Sequence, residues 1–197
     1  MKLSDVKFHK SVWLWSKEVH IDEKGEVIFV WRSNVGKSSI MNALFEKKDL
    51  VKTSSRPGKT LLANMFLVKN KYYLTDLPGY WFAKLGKNLK EQLDWLISWY
   101  MDEKSNYIKK VVILIDTKLW AQEVDIEMYK YILDLGLPVT IVLSKIDKLS
   151  KSEVAKSLAH AKNQFFGQEI IPVSSLKKTW IKELDKSIRA CLLEEQG

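Results

Sequence analysis

Cysteine is almost missing from this chain: Cys191 stands alone among 197 residues, so no disulfide framework can form within it. Long apolar runs are missing too. None reaches the eighteen or so residues needed to cross a bilayer, and no membrane partner is expected. Residues Met1 to Lys17 mix charge with short apolar pieces and lack the apolar core and small-residue cleavage site of a secretory signal. Together these absences lead to the expectation of a cytoplasmic protein. Acidic excess is lacking as well: 24 Asp and Glu face 32 Lys and Arg, for a net charge of +8. Such a surface attracts phosphate backbones without reading sequence, although a lysine-rich solvated surface needs no partner. Glycine is scarce, at 8 where ordinary usage gives roughly 14, while tryptophan, normally rare, also numbers 8.

The length suits one domain with a full core, and 46% apolar with 28% charged residues is ordinary globular composition. Short apolar segments rich in β-branched or aromatic residues predict strands at Glu26–Val30, Ala63–Val68, Tyr72–Thr75, Val111–Ile115, Val139–Leu143 and Ile170–Val173. Longer stretches with helical period predict helices at Lys37–Phe45, Leu89–Met101, Val124–Leu135, Ser152–Phe165 and Ile181–Leu193. Alternating strands and helices imply an α/β fold, a mostly parallel six-stranded sheet with helices on both faces. Only Lys69 to Lys71 separate two of the strands, so a hairpin should make one edge strand antiparallel. Residues 1–24 read as an N-terminal extension packed on the domain, 25–197 as the domain itself, and Lys47–Thr60 as a mobile loop.

Five signals carry chemistry. Trp31-Arg32-Ser33-Asn34-Val35-Gly36-Lys37-Ser38 follows a strand and opens a helix, the position of a phosphate-binding loop. Its backbone N–H groups would wrap phosphates, Lys37 would reach the β- and γ-phosphates, and the Ser38 hydroxyl would bind Mg²⁺. Both Lys37 and Ser38 are expected in a loop-to-helix turn rather than the core. Asp76-Leu77-Pro78-Gly79 ends another strand; Asp76 would hold Mg²⁺ through water and the Gly79 N–H would sense a γ-phosphate. In Ser144-Lys145-Ile146-Asp147 the Asp147 carboxylate would accept hydrogen bonds from N1 and the 2-amino group of guanine, with the Lys145 stem along the base or on the phosphate loop. Val173-Ser174-Ser175 would offer backbone N–H groups to guanine O6. Gly58-Lys59-Thr60, followed by Leu61 and Leu62, lies between the first helix and the hairpin, where the Thr60 hydroxyl would join Mg²⁺ only beside a γ-phosphate. Each signal has a plain reading as a turn or a solvated loop. All five occur in the order a GTP-hydrolysing domain requires, at predicted strand ends or in loops on the ligand side of such a sheet.

Arg32-Ser-Asn-Val-Gly-Lys-Ser-Ser39, Ser55-Arg-Pro-Gly-Lys-Thr60, Asp76-Leu-Pro-Gly-Tyr80 with Phe82-Ala-Lys84, and Ser144-Lys-Ile-Asp147 resemble the EngB GTPases. The resemblance runs from about Gly25 to the C-terminus. It implies a GTP/GDP-binding switch with Lys37, Thr60 and Gly79 as its catalytic groups and Ser38, Thr60 and Asp76 around Mg²⁺. It also implies a role in assembly of the large ribosomal subunit and in normal septation and division. The expected partner is that subunit or its rRNA, not DNA, with the chain acting as a monomer. Tyr80 stands where Ras-type enzymes place a water-orienting glutamine, which implies slow intrinsic hydrolysis. Asn34 matches the asparagine that binds K⁺ in some related GTPases. An ATP-using P-loop enzyme and a nucleotide-poor rRNA-binding module are the rivals.

The departures from the family share one character. Trp31, Trp81, Trp120 and Trp180 stand where it carries glycine. Drift would scatter many residue types over such positions. A lineage that reads UGA as glycine, translated with a table that reads UGA as tryptophan, would place Trp there selectively. Reading all 8 tryptophans as glycine would double the glycine count, close to the roughly 14 expected. Trp95 and Trp99 are harder to place: their helical spacing would suit a buried aromatic stripe, and two glycines there would weaken the helix by about 1 kcal/mol each.

Overall fold

The computed structural model describes residues 2–13, 23–32, 34–51, 62–80 and 87–193. Seven strands form one sheet: β1 (Val6–Trp13), β2 (Glu26–Trp31), β3 (Leu62–Val68), β4 (Tyr72–Asp76), β5 (Ile108–Asp116), β6 (Val139–Ser144) and β7 (Glu169–Pro172). The helices are α1 (Lys37–Leu44), α2 (Lys87–Lys104), α3 (Glu123–Asp134), α4 (Lys151–Gln164) and α5 (Ile181–Leu193), with a 3-10 turn at Ile146–Lys148. The sheet order is β1-β3-β4-β2-β5-β6-β7. Strands β4, β2, β5, β6 and β7 run parallel, whereas β3 is antiparallel to both of its neighbours.

The strand count and the identity of the edge strand differ from what the sequence predicts. The sheet has seven strands, not six, because Val6–Trp13 pairs with β3 in register Val6↔Val68 to Trp13↔Leu62. The antiparallel strand β3 is therefore interior, and β1 is the edge. A register shift between Phe8 and Lys10 explains why β1 is illegible in the sequence. The extra residue of a bulge breaks the period-2 alternation on which strand recognition depends.

Side chains alternate along the central strands and divide the core in two. Ile28 and Val30 of β2 and Val111, Ile113 and Ile115 of β5 face α2, α3 and α4, where Leu93, Ile97, Tyr129, Ile132 and Phe165 meet them. Val27 and Phe29 of β2 and Val112 and Leu114 of β5 face α1 and α5, represented by Ile40, Met41, Leu184 and Ile188. Each such aliphatic burial contributes about 2 kcal/mol. Two helices begin on capping boxes, Gln122 with Asp125 for α3 and Ser150 with Glu153 for α4.

The end of the sheet opposite the C-terminal strand ends is pinned by a buried pair. Lys104 Nζ, at the end of α2, lies 3.2 Å from Glu26 Oε2 at the start of β2, and the Tyr100 hydroxyl donates to Glu26 Oε1 at 2.6 Å. Five parallel strands thus deliver their C-terminal loops to one edge, with strand order diverging on either side of β2, the geometry that makes a ligand crevice in open α/β sheets.

Candidate active site

The loop after β2 reaches α1 through Asn34 at φ 68° and Gly36 at φ 91°, both left-handed, followed by Lys37 as the first helical residue. A Cβ at Gly36 would be strained at that φ, so glycine is what the turn requires. The N-terminus of α1 has no side-chain cap and no acidic residue in its first turn. Its orphan N–H groups and dipole are therefore presented to an anion.

Lys37 is buried, and its ammonium pairs with the Asp76 carboxylate at the end of β4. This corrects the expectation that Lys37 lies outside the core: the β2–α1 turn sits directly beside β4, where Phe29 and Asp76 are register partners. Burial raises the Asp76 carboxyl above its ordinary value, while the charge of Lys37 and hydrogen bonds from Lys37, Trp31 and Asn64 oppose the rise.

Trp31 closes this group. Its indole Nε1 donates to Asp76 Oδ1 at 3.1 Å and to the Leu77 carbonyl at 2.7 Å, and its ring lies 4.6 Å from Lys37 Nζ. Gly79 packs against it so tightly that an added Cβ would stand 2.9 Å from the indole and 3.0 Å from the Trp31 carbonyl. Leu77 and Tyr80 are held by backbone hydrogen bonds to Phe29 and Trp31, which keep Asp76 to Tyr80 alongside the β2 exit.

Tyr80 does not reach toward the phosphate loop as a water-orienting residue would. Its ring is buried and its hydroxyl donates to Asp125 Oδ1 at 2.8 Å, with Arg32 Nε 3.7 Å from Asp125 Oδ2. Burial, and then the Asp125 charge, pushes the phenol well above its ordinary range. Asp125 is a site residue that the sequence reading missed. Its signal is the capping box at the start of α3, where it also accepts from the Gln122 N–H at 2.8 Å.

The β6 loop supplies the other half. Lys145 adopts φ 60°, which turns its side chain back so that Nζ donates to the Asn34 carbonyl at 2.5 Å and to Asp116 Oδ2 at 2.8 Å. Asp116 was also missed. It ends β5 as the register partner of Ser144, an acid closing an apolar strand at the same edge as the other motifs. Ser144 Oγ donates to the Val35 carbonyl at 2.8 Å, tying the two loops together. Asp147 lies in the 3-10 turn that includes Ile146, and its Oδ1 accepts from Ser174 Oγ at 2.6 Å. Val173 is fully buried and its N–H donates to the Leu143 carbonyl; Ser174 and Ser175 follow it past the end of β7. Ser38 begins α1 beside Lys37, and Pro78 lies between Leu77 and Gly79 at the β4 exit. Leu62 opens β3 opposite Trp13, in the strand next to the edge. Ser33, Gly58, Lys59, Thr60, Leu61 and Trp81 lie outside the described residues.

A phosphate loop, an acid–Gly segment on the adjacent strand and a Lys–x–Asp turn joined to a Ser loop, all at one edge of this sheet, define a P-loop GTPase. The comparisons carry this further. The profile of the 50S ribosome-binding GTPase family matches residues 26–145. A relative from Clostridium kluyveri, named Probable GTP-binding protein EngB, is 40% identical over 174 residues, which cover 87% of this chain and 88% of the relative. A crystal structure of a probable GTP-binding protein EngB superposes with a TM-score of 0.73 at 24% identity, covering 87% of this chain and 100% of that one. Era in complex with MgGDPNP and nucleotides 1506–1542 of 16S ribosomal RNA superposes with a TM-score of 0.69 at 26% identity, over 88% of this chain and 58% of Era. The chain belongs to the EngB family of GTP-binding proteins, GTPases built on this fold. Among the described residues no helix is long and apolar enough to cross a membrane.

Proposed function

We propose that this protein is a slow GTPase switch in assembly of the large ribosomal subunit, acting in the cytoplasm as a monomer and needed for normal septation and division. The observation that carries the reading is the meeting of Lys37, Asp76, Lys145 and the Asp147–Ser174 pair, drawn from separate loops, at one sheet edge. The matched family is described by 50S ribosome binding, Era is recorded on a 16S rRNA segment, and a net charge of +8 suits a phosphate-rich partner.

In this reading the 25–197 domain holds GTP. The phosphate-loop N–H groups of residues 31–38 cradle the phosphates and Lys37 neutralises the developing charge on the γ-phosphoryl group. Asp147 accepts from guanine N1 and its 2-amino group, the Ser174 and Ser175 segment serves O6, and the Lys145 stem flanks the base. The Gly79 N–H would meet the γ-phosphate and sense its loss, and Thr60 is the further residue proposed to join the Mg²⁺ site. The residues present fit Mg²⁺: a buried carboxylate at Asp76 and a hydroxyl at Ser38 flank the α1 N-terminus. Mg²⁺ held by Ser38 and Asp76 would supply positive charge to offset that of the phosphates. Asn34, left-handed and exposed, is the proposed K⁺ contact.

Slow hydrolysis follows from Tyr80. Its hydroxyl is committed to Asp125, so nothing on that side chain orients the attacking water. Sedimentation of large-subunit particles with the protein loaded with GTP or GDP tests the switch. Association should favour GTP and weaken as salt rises. Equal binding of both forms would count against it.

A second reading, an rRNA-binding module with weak nucleotide affinity, draws on Trp31, whose indole covers Lys37 and holds Asp76. Direct titration of GTP separates the two readings.

A further inference from the structure

Backbone conformation sets two of the described tryptophans apart. Trp120 and Trp180 both adopt φ 59°, and they are the only aromatic residues at positive φ among the described residues. An L-residue in this region sets its Cβ against its own carbonyl. Asparagine and aspartate ease the strain by local hydrogen bonds, whereas a bulky ring cannot. Both rings stay well exposed, Trp120 at 43% and Trp180 at 47%, although the Trp120 ring packs on His160 at 4.2 Å. Trp120 sits in the turn after β5, where its N–H donates to the Asp116 carbonyl, and Trp180 precedes α5 after the Ser174–Thr179 bridge. Both turns are of the kind that glycine makes without strain.

Trp31 fails differently. Its backbone is ordinary strand, but its ring is wedged between Lys37, Asp76 and Gly79, the groups that serve phosphate and Mg²⁺ in the function proposed above. Position 31 is where the chain leaves the strand and the phosphate loop begins, and only a residue without a side chain leaves those groups open to a nucleotide.

Trp95 and Trp99 differ in backbone rather than burial: both are helical, although Trp95 is itself 52% exposed. They lie one turn apart in the middle of α2, with rings stacked at 5.6 Å and 6° between planes. Glycine at either position would weaken the helix by removing both packing and propensity.

We propose that the natural polypeptide carries glycine at positions 31, 120 and 180, encoded by UGA and read as glycine in its own lineage, and tryptophan at positions 95 and 99. At 120 and 180 the inference rests on backbone torsion; at 31, where the backbone is ordinary strand, it rests on the nucleotide-site reading. The consequence is functional. The natural phosphate loop begins on glycine, and the closure of Lys37 and Asp76 by an indole belongs to the misread chain rather than to the working protein.

The test joins the gene to the protein. The coding DNA should hold UGA at 31, 120 and 180 and UGG at 95 and 99. Tandem mass spectrometry of the protein purified from its own cells should show peptides with glycine at the first three positions and tryptophan at the other two. UGG codons, or native tryptophan, at 31, 120 and 180 would overturn the proposal, and UGA at 95 and 99 would overturn the sorting by conformation. In the recombinant chain Trp180→Gly should raise Tm by about 2–4 °C while Trp95→Gly lowers it. The opposite order counts against the torsional argument. Trp31→Gly should tighten GTP binding about tenfold or more, as an indole hydrogen bond to Asp76 no longer has to be displaced. Native glycine at 31 without that gain would leave the recoding standing and sink the nucleotide-site reading instead.

Discussion

The Tyr80 hydroxyl donates to Asp125 at 2.8 Å, joining the residue after the acid–Gly segment to the first turn of α3. Arg32 of the phosphate loop approaches the same carboxylate from the other side at 3.7 Å. Both partners of the hydrogen bond are buried. Tyr80→Phe should therefore cost about 1–3 kcal/mol of unfolding free energy, the penalty of a buried carboxylate left short of a donor. Because the ring points at α3, GTP turnover at saturating substrate should change by less than about threefold, under 0.7 kcal/mol of barrier. Urea unfolding and a phosphate-release assay on the same preparation check the separation. A large loss of turnover with unchanged stability would assign Tyr80 a direct catalytic role.

Removing Lys37 should do more than weaken nucleotide binding. Asp76 is buried, and burial already raises its carboxyl above 3.8 against the pull of Lys37. A raised folded pKa favours the folded state at low pH and costs stability as pH climbs through it. Lys37→Ala leaves that charge without its cation. Its destabilisation should be about 3 kcal/mol at neutral pH and should shrink as acid neutralises Asp76. Denaturant midpoints measured from neutral pH down to the carboxylate range check the trend. Ser38→Ala should weaken Mg²⁺-dependent nucleotide binding with little change in stability.

Base selection should follow Asp147. Asp147→Asn exchanges one acceptor for a donor, which suits the carbonyl of xanthine where guanine carries an amino group. GTP affinity should fall by about two orders of magnitude, the cost of a mispaired buried polar group, and xanthosine triphosphate should compete. Competition binding with the two nucleotides decides it, and unchanged preference for GTP would remove Asp147 from the base site.

Glu169 should govern part of the acid limb of stability. Partial burial raises its pKa, but hydrogen bonds from Ser187 and Thr140 and the Lys110 ammonium outweigh that, so it is lowered from 4.5. A lowered folded pKa contributes stability that is present above 4.5 and lost as pH falls through the folded value. Glu169→Gln should thus be less stable than the parent at pH 7, with the difference narrowing below pH 4.5. Thermal unfolding at stepped pH shows whether the curves converge.

The parallel strands and all five helices were legible because apolar period and length agree with their final environment. Val111, Ile113 and Ile115 face one core and Val112 and Leu114 the other, so β5 reads as a continuous apolar run. Strand β1 was not legible, since its bulge destroys the alternation and Phe8 remains 49% exposed. The placement of Lys37, Asp76, Lys145 and Asp147 at one sheet edge could be read because each motif is spaced from a strand end. The burial of Lys37, the Arg32–Asp125–Tyr80 contact and the Asp116–Lys145 pair could not. They join segments distant in sequence, and a lone carboxylate carries no sign of which cation it will meet.

The face of the sheet covered by α1 is shared with α5, the helix that is synthesised after every other described element. Ile40 and Met41 beside the phosphate loop therefore lie against a surface that stays open until Ile181 to Leu192 have emerged. Vectorial synthesis would deliver the residues proposed to hold phosphate long before the support that makes their helix rigid. A nascent chain arrested before Ile181 should hold the β2–α1 turn against half a core and have little hold on nucleotide. Competence to bind would then arise as a late, abrupt event once α5 has emerged, rather than growing as each loop appears.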